Sequence, residues 1–369
     1  MSVKKFIISI CILFFSFLAL SIEPSSIFTK TNEYKLENGC DVFLLEDTSS
    51  AFIRIDVSIK AGFSYQTPDN TGFFKLYSRI LQNYSSQIRF NDVQCNADST
   101  RYIIEIPYLE FPTIMNELSQ LIYSPSFSDK MIEEELSKLK KETVDNEKNP
   151  ANFINSAIDS RVFSLSPWKH DSGIYPSLLK KSSTEKARSL LASICEKWYI
   201  PQNSALFISG NFDSEEALKI IKQTFGAFYS SAIIPSKNPQ TTGNSKKKFV
   251  LYHKDISPEL TQVVVQYTSL NRGQAAVAEE IFNNPSSKVK SDLLLIKELN
   301  IPGSDYINIS SAGKKDSNRL IIQTLMQTSN DKKNKKSSIQ QTNLFIESLT
   351  KNLSNITAND FYNAKQNLI

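Results

Sequence analysis

The run "AFIRIDVSIKAGFSYQTPDNTGFFKLYSRILQNYSS", Ala51 to Ser86, changes period partway along, and that change decides the class of fold. Over "AFIRIDVSIKAGF" apolar and polar residues alternate with period two, the pattern of a strand with one face on a core. From Thr71 the apolar residues recur every three or four positions, so "TGFFKLYSRILQNYSS" reads as a short amphipathic helix. Lys75 and Arg79 stand at i and i+4 of that helix. They project from one face a turn apart, where like charges oppose helix formation slightly. The pair therefore calls for an explanation in what surrounds it.

Outward from this run the strand and helix signals continue. Upstream, "YKLENGCDVFLLED" sets two apolar runs either side of "ENG", which predicts a β-hairpin. Downstream, "NADSTRYIIEIP" is a strand closed by Pro107, and "LEFPTIMNELSQLIYS" and "SDKMIEEELSKLKKETVDNE" are helices, the second capped by Ser128. A third helix is expected near Ala151 to Phe163. Then "STEKARSLLASICEKWYIPQN" opens with a capping pattern and stops at Pro201. It is followed by the strand "SALFISGNF" and a helix from Ser214 to Phe228. The stretch "SSAIIPSKNPQTTGNSKKK" has no periodicity and is rich in Ser, Pro, Asn, Thr and Lys, so it reads as a linker. Beyond it the order starts again: strands "KFVLYHKD" and "LTQVVVQYTSL", helices near Gln274 to Asn283 and Ser287 to Leu299, strands "YINISS" and "RLIIQTLMQT", and helices from Ser338 to Leu353 and from Thr357 onward.

The expected class is therefore α+β, with two duplicated α/β sandwich units, each an antiparallel or mixed sheet packed with helices. The second unit is shorter. The divisions are 1–21, a signal peptide; 22–230, the first unit; 231–247, the linker; and 248–369, the second unit. A chain of 369 residues is long enough for two such cores.

The N-terminus carries its own message. Lys4 and Lys5 precede the apolar run "FIISICILFFSFLALS", and Ala19-Leu20-Ser21 supplies the small residues of a cleavage site. The chain is read as exported to the periplasm or cell envelope, and as membrane-anchored if the signal is retained. Cys11 follows Ile10, which is the wrong size for a lipidation motif. The mature chain keeps Cys40, Cys95 and Cys195, whose spacing suits neither a zinc finger nor a Cys-x-x-Cys site. One bridge with a free thiol and no bridge at all both fit, and buried small apolar residues is the default reading. Apolar residues at 40%, charged residues at 22% and a net charge of +4 spread over both signs describe an ordinary globular protein and give no case for a nucleic-acid partner.

The segments "LENGCDVFLLED", "VSIKAGFSYQTPDNTGF", "NADSTRYIIEI", "EKWYIPQNSALFISGNF" and "TANDFYNAKQNLI", in this order, resemble the landmarks of the pitrilysin or insulinase type of zinc peptidase, the inverzincins. The resemblance implies paired α/β units that close around an unfolded peptide. It also implies His-x-x-Glu-His on a helix, two imidazoles binding zinc while the Glu activates water, and a further Glu from the next long helix as third ligand. Aligned on "TGF", these positions are Lys75, Ser78 and Arg79, with Glu142 at the third-ligand position.

Ligand chemistry then argues against the metal. Ammonium and guanidinium offer no lone pair at neutral pH and repel a dication. Ser78 is no general base without a neighbour to activate it. The chain's two histidines, His170 and His253, lie one in each half and have no second His at ligand spacing, so both read as ordinary polar residues. The expectation is no catalytic residue and no cofactor, with the zinc of active relatives absent. Glu135 lies seven residues before Glu142 on one helix face, and "EEELSKLKKE" also reads as a solvated face with helical ion pairs. With the metal gone, a carboxylate in a partly buried pocket needs a partner, and Arg79 paired with Glu142 is the expected answer.

In the second half "LLLIKELNIPGSDYINIS" resembles the segment in which active pairs carry an Arg and a Tyr that orient substrate. Lys297 and Tyr306 hold those places as substrate-binding candidates. The function expected is a non-catalytic insulinase-like protein that binds peptide or unfolded polypeptide, or that pairs with an active peptidase of the same family or with a second copy of itself. The alternatives are an active metallopeptidase with ligands from elsewhere and a stand-alone peptide-holding module that grips extended segments at a sheet edge.

Overall fold

The structure, a computed structural model, describes residues 31–67, 69–84, 88–149, 152–153, 156–157, 160–161, 179, 181–229, 260–284, 288–314, 317–327 and 338–368. The expected signal at 1–21, the linker at 231–247, the strand "KFVLYHKD", His170 and His253 lie outside these residues.

The hairpin forms as read: β1 (Asn32–Lys35) pairs antiparallel with β2 (Asp41–Glu46), and Lys35 opposite Asp41 closes a 2.6 Å ion pair. β3 (Phe52–Ile59) follows, then α1 (Phe73–Tyr84), β4 (Asp92–Cys95) and β5 (Thr100–Pro107). Next come α2 (Phe111–Tyr123) and α3 (Asp129–Lys148), whose Ser128 cap accepts from the Met131 N–H as its sequence predicts. The described residues of the helix expected at 151–163 are helical. The first unit ends with α4 (Thr184–Trp198), β6 (Ser204–Gly210) and α5 (Ser214–Gln223).

The six strands make one sheet in the order β1-β2-β6-β3-β5-β4. Every pair is antiparallel except β2 with β6, so the sheet is mixed. The period-two pattern of β3 does what it promised. Ile53, Ile55, Val57 and Ile59 have no exposed surface, while Phe52 and Arg54 face out. The buried row meets Phe73, Phe74, Leu76 and Tyr77 of α1 and the apolar stripes of α2, α3 and α4 in one core. Gly210 ends β6 at φ +141°, and a Cβ there would lie 2.4 Å from the carbonyl oxygen of Phe52. Only glycine lets the chain leave the sheet at that point.

Two readings of this unit need correction. The helix expected from Ser214 to Phe228 ends at Gln223, and a 3-10 turn, Phe225–Ala227, replaces its last part. There Thr224 turns its hydroxyl back onto the Ile220 carbonyl. β4 is a strand without a sequence signal, because its four residues "DVQC" carry too little alternation to stand out.

The second unit has β7 (Leu260–Leu270), α6 (Arg272–Asn283), α7 (Lys288–Leu294), β8 (Ile307–Lys314), β9 (Ser317–Gln327), α8 (Ser338–Leu353) and α9 (Ala358–Asn367). Asn271 and Thr357 form full capping boxes at α6 and α9. The strands are antiparallel in the order β7-β9-β8, the same arrangement as β3-β5-β4. This unit has its own core, with Phe282, Leu293, Ile309, Ile322, Phe345 and Leu349 at its centre. The helix expected from Ser287 to Leu299 stops at Leu294, and a separate 3-10 turn, Lys297–Leu299, ends at Asn300 in a left-handed conformation with φ 49°. The architecture is thus two α+β units of related topology.

Among the described residues no helix is long and apolar enough to cross a membrane. Cys40 and Cys95 are buried, Cys195 is half-buried and all three are free thiols. Burial pushes the Cys40 thiol up to about 11, so it stays protonated and inert at neutral pH.

Candidate functional site

Gly72 turns the chain into α1 with φ +87°, and its N–H is held by the Gln66 side chain at 2.5 Å. Along the helix, Phe73, Phe74, Leu76, Tyr77, Ile80 and Leu81 are buried, and Ser78 with them. From Thr71 to Leu81 only Lys75 and Arg79 reach the surface, both half-buried on one stripe. The helical period fixes this, since four residues bring the chain back to the same side about 6 Å along the axis.

α3 packs against α1 along that stripe. Arg79 spans two carboxylates of α3: its Nε donates to Glu135 Oε2 at 3.1 Å and its Nη1 donates to Glu142 Oε2. The Glu135 side chain has no exposed surface, whereas Glu142 is 46% exposed. Lys138 Nζ lies 2.7 Å from the other oxygen of Glu135. Burial on its own would raise the Glu135 pKa. Hydrogen bonds from Lys138 and Asn83 and the charge of Arg79 outweigh it and hold the carboxyl below its ordinary value. Arg79 follows the same balance with the opposite charge: burial works against its proton, and Glu142 and Glu135 together hold it more firmly.

The pair expected from the sequence, Arg79 with Glu142, is therefore in place, but it is the lesser half of the arrangement. Glu135 is the carboxylate that must not be left alone. "EEELSKLKKE" is not simply a solvated face, because Glu135 points inward while its neighbours Glu133 and Glu134 keep surface exposure. Its seven-residue offset from Glu142 was the one signal in the sequence.

The Ser78 hydroxyl donates to the Lys75 carbonyl at 2.9 Å and is nearly fully buried. A hydroxyl tied to its own helix has no base beside it and no route to a substrate. Among the described residues no group of three or more His, Cys, Asp or Glu side chains converges as a metal would require. The α1–α3 site offers two carboxylates, both already engaged by cations, and no imidazole. This donor set does not fit a zinc ion.

Lys297 and Tyr306 fall on two successive one-turn helices of the second unit, Lys297–Leu299 and Ser304–Tyr306. Both side chains are exposed, Tyr306 at 47%.

Residues 188–368 match the family model described as the peptidase M16 inactive domain. No curated protein matches the chain. Among solved structures, a protease from Helicobacter pylori superposes with a TM-score of 0.73 at 14% identity, over 92% of this chain and 84% of that one. A chain of Complex III2 from Candida albicans does so with a TM-score of 0.67 at 14% identity, over 92% and 80%. The periplasmic protease PqqL from Escherichia coli gives 0.65 at 13% identity, over 92% of this chain and 39% of its own. At these identities the likeness to the solved structures is one of fold.

Proposed function

The chain belongs to the M16 peptidases, the pitrilysin and insulinase type, as a degenerate member, and from that premise we propose that it is an exported, non-catalytic protein that binds extended peptide, acting as the inactive subunit beside a zinc-bearing relative. The observation that carries this reading is Arg79 set between Glu135 and Glu142. A permanent cation sits where a metal would need lone pairs, and both carboxylates of the site are spent on it. Water would have neither Lewis acid nor general base to activate it at this place.

Export rests on Lys4, Lys5 and the apolar run that follows, in keeping with the periplasmic address of PqqL, which shares the fold. A protein partner is in keeping with the Complex III2 chain, a fold relative that belongs to a larger assembly. Lys297 and Tyr306, exposed on neighbouring turns, are the groups proposed to touch bound peptide, Lys297 through its charge and Tyr306 through its ring and hydroxyl.

Metal analysis of the purified mature chain, together with a pull-down from its native cell envelope, tests the proposal. The expected result is no stoichiometric zinc, no chelator-sensitive peptide cleavage, and co-purification of an M16 peptidase or of unfolded polypeptide. One equivalent of tightly held zinc touching α1, or cleavage that a chelator abolishes, overturns it.

A further inference from the structure

α3 accounts for only one of the two cations on α1. Arg79 spends its charge on Glu135 and Glu142, and Lys138 supplies the second cation of Glu135. Lys75 stands one turn before Arg79 on the same half-buried stripe, and among the described residues no carboxylate pairs with it. The α1–α3 site thus holds three cations, Lys75, Arg79 and Lys138, against two carboxylates, Glu135 and Glu142.

Three effects disfavour a positive charge at Lys75. Arg79 at i+4 repels it. It is the third residue of α1, where the positive end of the helix dipole opposes a cation. Half-burial strips part of its hydration, because Phe73, Phe74 and Leu76 around it have no exposed surface. The backbone cannot turn the side chain away to relieve these costs. The Phe73 N–H donates to the Asn70 carbonyl at 3.0 Å and the Leu76 N–H to the Gly72 carbonyl at 3.1 Å, so the first turn of α1 is pinned on both sides of Lys75. One negative group placed at its ammonium turns all three effects from unfavourable to favourable.

We propose that Lys75 is the binding residue for a single carboxylate of the bound polypeptide, an acidic side chain or the C-terminal carboxylate. The proposal rests on the peptide-binding reading above and names the ligand chemistry that reading leaves open. The Lys75 ammonium donates to the carboxylate directly, and Arg79, held in place by Glu135 and Glu142, adds attraction from one turn away. Glu142, 46% exposed, belongs to the same site and opposes a second negative charge. A monovalent carboxylate therefore suits the site better than a phosphate dianion.

The test is equilibrium binding to the full mature chain, by fluorescence anisotropy at low salt, of three labelled peptides that share one unstructured Gly, Ser and Val sequence. The first is acetylated and amidated and carries no charge, the second adds a single central glutamate, and the third has a free C-terminal carboxylate instead. At least one of the charged peptides is expected to bind about tenfold tighter than the neutral one, and which does so identifies the source of the carboxylate. Lys75→Met should abolish that advantage and Lys75→Arg should keep most of it. The urea midpoint of the Lys75→Met chain should rise, because an unpaired cation has gone from the positive end of α1. An advantage that survives Lys75→Met overturns the proposal, and so does a midpoint that stays the same or falls. Binding of the neutral peptide with no advantage for either charged one rules out this site alone. If none of the three binds, the peptide-binding function falls and this site with it.

Discussion

At Arg79 one guanidinium does for two carboxylates what a bound cation would do, and the consequences can be measured. Its fork reaches both Glu135 and Glu142, which a lysine, with a single ammonium, cannot do with the same geometry. Arg79→Ala leaves Glu135 fully buried with Lys138 as its remaining cation. We expect a loss of about 2–3 kcal/mol at pH 7, below the full figure for an isolated buried pair because Lys138 persists. Urea unfolding measures it. The sign with pH is fixed by Glu135. Its folded pKa is depressed, so its contribution is present above the ordinary carboxylate value and is lost as pH falls through the folded value. In the Arg79→Ala chain that pKa rises, so the gap between variant and native protein should be widest near neutrality and should narrow toward acid. A gap that stays constant with pH would show that lost packing, not charge, is responsible.

The same residue invites a reconstruction. Lys75→His with Arg79→His sets two imidazoles one turn apart on α1, within reach of Glu142 on α3. This double variant is expected to take up one equivalent of Co2+ with a tetrahedral absorption spectrum, and the native chain none. A folded double variant that stays colourless would mean that α1 and α3 no longer hold a ligand geometry. Which carboxylate mattered most was not legible in the sequence. Glu133, Glu134, Glu135 and Glu142 share one charged stretch, and only the docking of α1 on α3 selects Glu135 for burial.

At the scale of elements, the features written locally were the ones that could be read. The period-two run of β3, the three-to-four spacing of α1, and the cap at Ser128 each depend on a few neighbouring residues. What failed was short or depended on distant contacts. β4 pairs only because β5 is there to pair with, and α5 and α7 end early in 3-10 turns that the apolar spacing does not reveal. The exit of β6 is a position where the local rule is strict. Gly210→Ala puts a methyl against the Phe52 carbonyl at a φ that alanine avoids. It should cost about 1–3 kcal/mol of stability, read as a lowered denaturant midpoint. An unchanged midpoint would mean the strand end can shift without loss.

For the molecule as a whole, the duplication was visible as a repeated order of strands and helices, and the two sheets do share the arrangement β3-β5-β4 and β7-β9-β8. The place of β6 was not visible. No pattern inside "SALFISG" says that it threads between two strands laid down more than 140 residues earlier. That insertion governs the order of assembly. Without Ser204–Gly210, β1–β2 and β3–β5–β4 share no strand pairing. The first unit therefore has to wait for its own far end, because the strand that joins its two ribbons ends only at Gly210. Contacts closed over so long a loop are slow to form.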